Sequence, residues 1–270
     1  MRERERNRLD GWKKMNREEY LSRIGVEPDD LEVNDETLLI LQRKHLLAVP
    51  FENLDIHWKR PIILDIERFY AKIVGEKRGG FCYELNGLFN ELLLSLGFTT
   101  RLISARVFNG SEHGPEFDHM AIIVTVGDDE YLADVGFGDF TTEPLRFSLG
   151  SEQHDPAGVF VIRRFDDEYF EVAKRDGEVW KSAYMFKDIV RELSEFNEMC
   201  EFQQYSPESH FTKGKLCSIL TEDGRKTLTD RKLIATKNAF KKETSVDSVD
   251  IFERLLHEEF GIESQAGRIT

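Results

Sequence analysis

The spacing of apolar residues changes period near residue 98. From Cys82 onward, Leu85, Leu88, Phe89, Leu92, Leu93 and Leu96 recur on one helical face. Gly97 then stands where a helix C′ terminator belongs. Upstream, NDETLLILQRKHLLAVP opens on Asn34 or Asp35 as N-cap and closes before Pro50. Residues 66–77 predict a further helix, so 17–97 reads as mainly helical. Beyond 98 the pattern turns to alternation. TTRLISARVF is β-rich, and HMAIIVTVG and EYLADVGFG are joined at Asp128-Asp129 as a hairpin. GVFVIRRF, EYFEVAKR and EVWKSAYMF extend an antiparallel meander to about residue 185. Helix returns over 187–202, and short strands follow over 215–237 around the turn dipeptide Asp223-Gly224. Ile251, Phe252, Leu255, Leu256 and Phe260 predict a last amphipathic helix. No repeat of 20–50 residues and no Gly/Ser-rich linker interrupts this order. The expectation is an α+β chain: a helical bundle over 1–98, a β-barrel or sheet with its following helix over 99–203, and a mixed part over 204–270, closely packed.

Composition narrows the function classes. The chain has 270 residues, with 37 basic and 51 acidic side chains and a net charge of −14. That balance argues against a non-specific nucleic-acid binder, which needs Lys and Arg for the phosphate backbone. Three cysteines at irregular spacing do not form a disulfide framework, and a reducing cytoplasm is the expected setting. The start MRERERNRLDGWKK has no apolar core of a signal peptide. No apolar run approaches the roughly 20 residues of a membrane helix.

The chemistry concentrates around RGGFCYELNG. Cys82 falls in the first turn of its helix, where unpaired N–H groups and the dipole favour a thiolate and so a more acidic thiol. Gly79 and Gly80 are expected to turn the chain sharply, expose the cysteine and let substrate approach. A small buried core cysteine fits the same position taken alone. A nucleophile needs a base, and the base an orienting group. His119 opens the apolar strand in FDHMAIIV, and Asp134 ends the next in YLADVGFGD. A hairpin brings them to the same end. Asp134, set among Leu132, Ala133 and Val135, requires a partner. The three together compose a Cys–His–Asp set for thiol acyl chemistry. Gly136 and Gly138 bracket Phe137, as a bulge or as backbone kept bare for a ligand. The other histidines, at 45, 57, 113, 154, 210 and 257, read as surface or local hydrogen-bonding groups. The basic stretch 231–241 reads as a solvated charge run that could also meet phosphates. A zinc site is disfavoured because no C-x-x-C pair exists, and GxGxxG and P-loop signatures are absent.

These residues resemble the arylamine N-acetyltransferase family, bacterial type. The resemblance runs through YLSRIGV, HLLAVPFENLDI, RGGFCYELNGLF, the His119 strand, ADVGFG and SPESHFTKGKLCSI, and so covers most of the chain. It implies a helical bundle, a β-barrel and an α/β lid, a fold with a cysteine-protease-like triad. It implies Cys82 as acyl-accepting nucleophile, His119 as base and Asp134 as orienting acid, with Glu84 and Asn86 as structural support. Acetyl coenzyme A is the implied donor. Arylamines, arylhydrazines and N-arylhydroxylamines are the implied acceptors, with no metal, nucleic acid or membrane. Phe51, Tyr83 and Phe211 match acceptor-pocket positions, and Gly136, Phe137 and Gly138 match donor-contacting ones. The first 15 residues or so have no counterpart, and the 109–118 loop transfers no contacts. Two rivals remain beside this reading: a cysteine hydrolase with the same triad, and a binding protein that has kept the fold.

Overall fold

The computed structural model describes residues 15–28, 31–238 and 240–264; the charged stretch 1–14 lies outside them. Helix α1 (Arg17–Arg23) starts at Asn16, whose side chain accepts from the N–H groups of Glu18 and Glu19. Helix α2 (Asp35–Ala48) starts at Asn34, which accepts from Thr37 N at 2.8 Å, so Asn34 rather than Asp35 is the cap. The buried residues of α2 are Thr37, Leu38, Leu41, Gln42, His45 and Leu46, three of them polar. Strand β1 (Phe51–Glu52) and helix α3 (Leu54–Trp58) follow Pro50. Helix α4 (Ile66–Tyr70) runs into one π-helical turn, Ala71–Gly75. Helix α5 (Cys82–Ser95) is buried along most of its length and ends at Leu96, with Gly97 left-handed at φ 95° as the terminator.

The meander is eight antiparallel strands: β2 (Thr99–Val107), β3 (His119–Val126), β4 (Asp129–Ala133), β5 (Leu145–Arg146), β6 (Glu152–Asp155), β7 (Gly158–Arg164), β8 (Phe170–Asp176) and β9 (Val179–Phe186). Their order is β5-β4-β3-β2-β9-β8-β7-β6, and the sheet curls into a nearly closed barrel. Strand periodicity divides its contents. Ile103, Ala121, Ile123 and Leu132 join Phe160 and Tyr184 inside the barrel. Met120, Ile122, Val124 and Ala133 point the other way, onto the core that holds α5.

The helix expected over 187–202 begins late. Arg191 N donates to Leu102 O at 2.9 Å, pairing the chain with a part of β2 that β9 does not reach. Only then come a 3-10 turn at Leu193–Phe196 and helix α6 (Asn197–Tyr205). A 3-10 turn at His210–Thr212 leads into β10 (Leu216–Thr221), β11 (Gly224–Thr229), β12 (Lys232–Lys237) and β13 (Phe240–Ser245). Helix α7 (Val249–Phe260) packs Phe252, Leu255 and Leu256 on that sheet. Strand β13 lies beyond the predicted strand region because FKKETS is exposed throughout and shows no apolar alternation. The sheet order is β1-β10-β11-β12-β13, so a strand from the helical part completes the C-terminal sheet. Among the described residues no helix is long and apolar enough to cross a membrane.

Candidate active site

Cys82 is the first residue of α5, and Glu84 Oε2 accepts from Phe81 N at 3.1 Å to close the helix start. The glycines before it do not act as the sequence suggested. Neither has a left-handed backbone, and neither exposes the thiol: Cys82 is 3% exposed. A Cβ on Gly79 would lie 1.8 Å from Pro50 O, and one on Gly80 2.8 Å from the Glu84 side chain. Gly80 N donates to Pro50 O at 3.3 Å, and Glu52 N donates to Gly80 O at 2.8 Å. Gly79 therefore lets the chain pass against Pro50, and Gly80 leaves room for the Glu84 side chain that closes the start of α5.

His119 is the first residue of β3, and Asp134 follows the last of β4. Pairing of Ile122 with Ala133 brings both to the same end of the hairpin. His119 Nε2 lies 2.7 Å from Asp134 Oδ2, and both side chains are buried. Asp134 Oδ2 also accepts from Tyr184 OH at 3.2 Å. Its Oδ1 accepts from Asn86 Nδ2 and from Gly136 N, each at 2.9 Å. The carboxylate removed from water is thus fully hydrogen-bonded. Gln42 Oε1 accepts from Asp134 N at 3.1 Å. Gln42 and Tyr184 were not among the sequence candidates. A glutamine inside the apolar stripe of α2 was the available signal for the first.

The same two strand ends enclose Cys82. On one side Asn86, a turn beyond Cys82 on α5, donates to Met120 O at 2.6 Å, next to His119. On the other side, a Cβ on Gly136 would lie 2.8 Å from Cys82 Cα and 2.7 Å from Asn86 Nδ2. Gly136 is therefore occupied by its approach to α5. Burial pushes the Cys82 thiol well above its usual value, against the lowering effect of the Met120 backbone, and the charges of Asp118 and Asp134 add to the rise. That direction runs against the more acidic thiol expected from the helix end, since burial disfavours the charged form.

Beneath the nucleophile lies a buried ion cluster. Lys72 Nζ is 2.8 Å from Glu84 Oε1 and 2.9 Å from Asp55 Oδ2. Arg78 donates to Asp55 Oδ1 at 2.5 Å and to Glu52 Oε1 at 2.6 Å. Burial acts to raise Asp55, but Lys72 and Arg78 overcome it and hold the carboxyl at about 2. Burial lifts Glu84 to about 7 despite Lys72, with Asp55 and Glu52 adding repulsion. The cluster ties β1, α3, the π turn and the loop at Arg78 to the first turn of α5.

A cleft of about 790 Å³ opens between the barrel loops and the C-terminal sheet. Phe51, Phe137 and Gly138 line it, and Gly138 is left-handed at φ 94° with open space where a Cβ would go. From this lining the Phe137 ring stands edge-on to His119 at 5.2 Å. Phe211 backs the cleft, its ring 6.1 Å from Phe51 and 5.9 Å from Phe81. Tyr83 does not reach it: its ring is buried against Phe81 at 4.9 Å, and its hydroxyl donates to Phe117 O at 2.7 Å. Cys200 and Cys217 are buried without disulfides in separate cores. Among the described residues no cluster of three or more His, Cys, Asp or Glu is placed to hold a metal.

A family model described as N-acetyltransferase matches residues 35–269. A pineal gland arylamine N-acetyltransferase of Gallus gallus is 33% identical, covering 92% of this chain and 94% of its own. The chain belongs to the arylamine N-acetyltransferase family. It is an acyltransferase. The arylamine N-acetyltransferase / N-hydroxyarylamine O-acetyltransferase of Salmonella typhimurium is 32% identical over 90% of this chain and 87% of its own. Among solved arylamine N-acetyltransferases, the Bacillus cereus protein described with a Cys-His-Glu catalytic triad superposes with a TM-score of 0.85 at 31% identity. That match covers 93% of this chain and 100% of the other. The Mycobacterium marinum protein in complex with CoA gives a TM-score of 0.83 at 27% identity, covering 92% and 93%.

Proposed function

We propose that the chain transfers an acetyl group from acetyl coenzyme A to arylamines, arylhydrazines or N-arylhydroxylamines through an S-acetyl-Cys82 intermediate. The observation that carries this reading is the His119–Asp134 pair, held at 2.7 Å and tied through Asn86 to the helix that Cys82 opens. With Nε2 donating to Asp134, Nδ1 is the ring nitrogen that takes the thiol proton. The sulfur then attacks the thioester carbonyl. The coenzyme A thiolate leaves and takes the proton from the imidazolium, and the acetyl group stays on Cys82. In the second half the amine nitrogen attacks that acetyl group. His119 accepts the proton the nitrogen loses, and Cys82 departs as the sulfide that is reprotonated. Burial makes an isolated thiolate costly, so proton transfer and carbonyl attack are tightly linked.

Phe51, backed by Phe211, supplies a flat apolar wall for an aromatic acceptor. Tyr83 serves that wall indirectly by holding Phe81. Phe137 and Gly138 are the donor-side positions that border the cleft. Gly136 contributes close approach to Cys82. Intact mass spectrometry tests the reading. With acetyl coenzyme A alone, the parent should gain one acetyl mass and Cys82→Ala none. An arylamine should then remove the acetyl group far faster than buffer does. Rapid loss to water without an amine would favour hydrolysis instead, and acetylation of Cys82→Ala would reject the nucleophile.

A further inference from the structure

One charged side chain in the cleft is poorly neutralised. Arg225, on β11, lines the cleft wall with its side chain 16% exposed. Nη1 donates to Ser218 Oγ at 3.3 Å. The acidic group paired with it is Asp139, 3.8 Å from Nε and 78% exposed, beyond hydrogen-bond range and largely solvated. The other cations on the cleft have closer acidic partners. Arg43 lies 3.3 Å from Glu222, and Lys241 lies 2.7 Å from Glu243. Burial lowers the pKa of the Arg225 guanidinium, with Asp139 opposing. A cation that has lost most of its water without gaining a close counterion is destabilised, and an anion entering the cleft relieves that cost.

We infer that Arg225 binds a phosphoryl group of the acyl donor. The inference rests on the acyl-transfer reading above and assigns it a specificity-determining contact. Coenzyme A carries a pyrophosphate and a 3′-phosphate, and a guanidinium fork matches phosphate oxygens two at a time. Ser218 holds one of the five N–H groups and so fixes the plane of the fork. The Asp139 contact places Arg225 across from the loop after Phe137, on the stretch of cleft that leads to His119. The overall charge of −14 opposes a polyanionic donor at long range, so a local cation is needed to seat it.

The test uses the full chain and Arg225→Gln, with single-turnover acetylation of Cys82 read by intact mass. The donors are acetyl coenzyme A, acetyl-3′-dephospho-coenzyme A and S-acetyl-N-acetylcysteamine, which has no phosphate. Arg225→Gln should lower the second-order rate with acetyl coenzyme A by about tenfold or more, the loss expected for a charge-assisted phosphate pair. The phosphate-free thioester should react with both proteins alike. Arg225→Lys should fall between them. Persistence of the loss with the dephospho donor identifies the pyrophosphate, and its disappearance identifies the 3′-phosphate. Equal slowing with the phosphate-free thioester would make Arg225 merely structural and overturn the inference, as would an unchanged rate with acetyl coenzyme A. Failure of the parent protein to accept acetyl from any thioester would defeat the acyl-transfer reading itself.

Discussion

Asn86 Nδ2 donates to Asp134 Oδ1 at 2.9 Å from a position one helical turn beyond Cys82. The same nitrogen donates to Met120 O at 2.6 Å, and Asn86 Oδ1 accepts from Val135 N at 2.9 Å. One amide thus joins the nucleophile helix to both strand ends that carry the base and the acid. Asn86→Ala removes those partners in a buried site. Stability should fall by about 2–4 kcal/mol, since each unpaired buried group costs roughly 1–3 kcal/mol. Alkylation of Cys82 by iodoacetamide at neutral pH should also slow, because Asp134 loses a donor that fixes its rotamer. Urea unfolding and alkylation rates check the two effects. A variant as stable as the parent would show that Asn86 does not link the three elements.

Phe51 lines the cleft while its backbone pairs with Ser218 in the C-terminal sheet. Phe51→Leu keeps the position apolar but removes the flat face. The second half-reaction with arylamines should slow about tenfold if the ring supplies about 1.4 kcal/mol. Acetylation of Cys82 by acetyl coenzyme A should hold its rate. Rapid-quench measurement of each half-reaction separates the cases, and parallel losses would assign Phe51 to packing alone.

Two glycines should respond differently to alanine. At Gly79 the new Cβ meets Pro50 O at 1.8 Å, so β1 must move and the ion pairs of Glu52 move with it. A loss of about 3 kcal/mol or more, or failure to fold, is expected. At Gly138 the space is open and only the left-handed backbone resists, at roughly 1–2 kcal/mol. Melting temperatures of the two variants should rank accordingly, with Gly79→Ala far below Gly138→Ala.

His45 sets a pH response. It is fully buried with Nδ1 2.9 Å from Tyr20 OH, and burial, aided by Arg23, lowers its pKa to about 3. In the unfolded chain a histidine titrates near 6.5. Below that pH the unfolded chain binds a proton that the folded chain refuses until about pH 3. Stability is therefore lost as pH falls through this window, by about 2 kcal/mol at pH 5 from this group. His45→Gln should flatten the dependence of unfolding free energy on pH between 6.5 and 5, whatever its absolute stability. Parallel pH profiles for variant and parent would refute the assignment.

Local periodicity made the placement of the three candidate residues legible. The helical spacing after Cys82 placed the thiol at a helix start, and the hairpin placed His119 and Asp134 together. What stayed hidden depended on distant partners. Gly79 is a glycine because of Pro50, a neighbour 29 residues away in the chain. Lys72, Arg78, Glu52 and Asp55 look like solvated charges in sequence, and only the fold buries them against each other. Gln42 and His45 interrupt the apolar stripe of α2, a signal that was present but unread. At Cys82 the helix terminus is visible in sequence, whereas the desolvation that opposes it is not.

Pairing between Phe51 and Ser218 spans 167 residues, and it has a bearing on how the chain is born. A ribosome delivers Cys82, His119 and Asp134 well before β10 is made, yet the wall behind which they work is still missing a strand. Until then residues 51–52 have their Gly80 partner on one side and lack β10 on the other. Long-range pairing of this kind comes late in folding. The C-terminal sheet that borders the cleft is thus completed only after synthesis has passed β10, long after Cys82, His119 and Asp134 have been added to the chain.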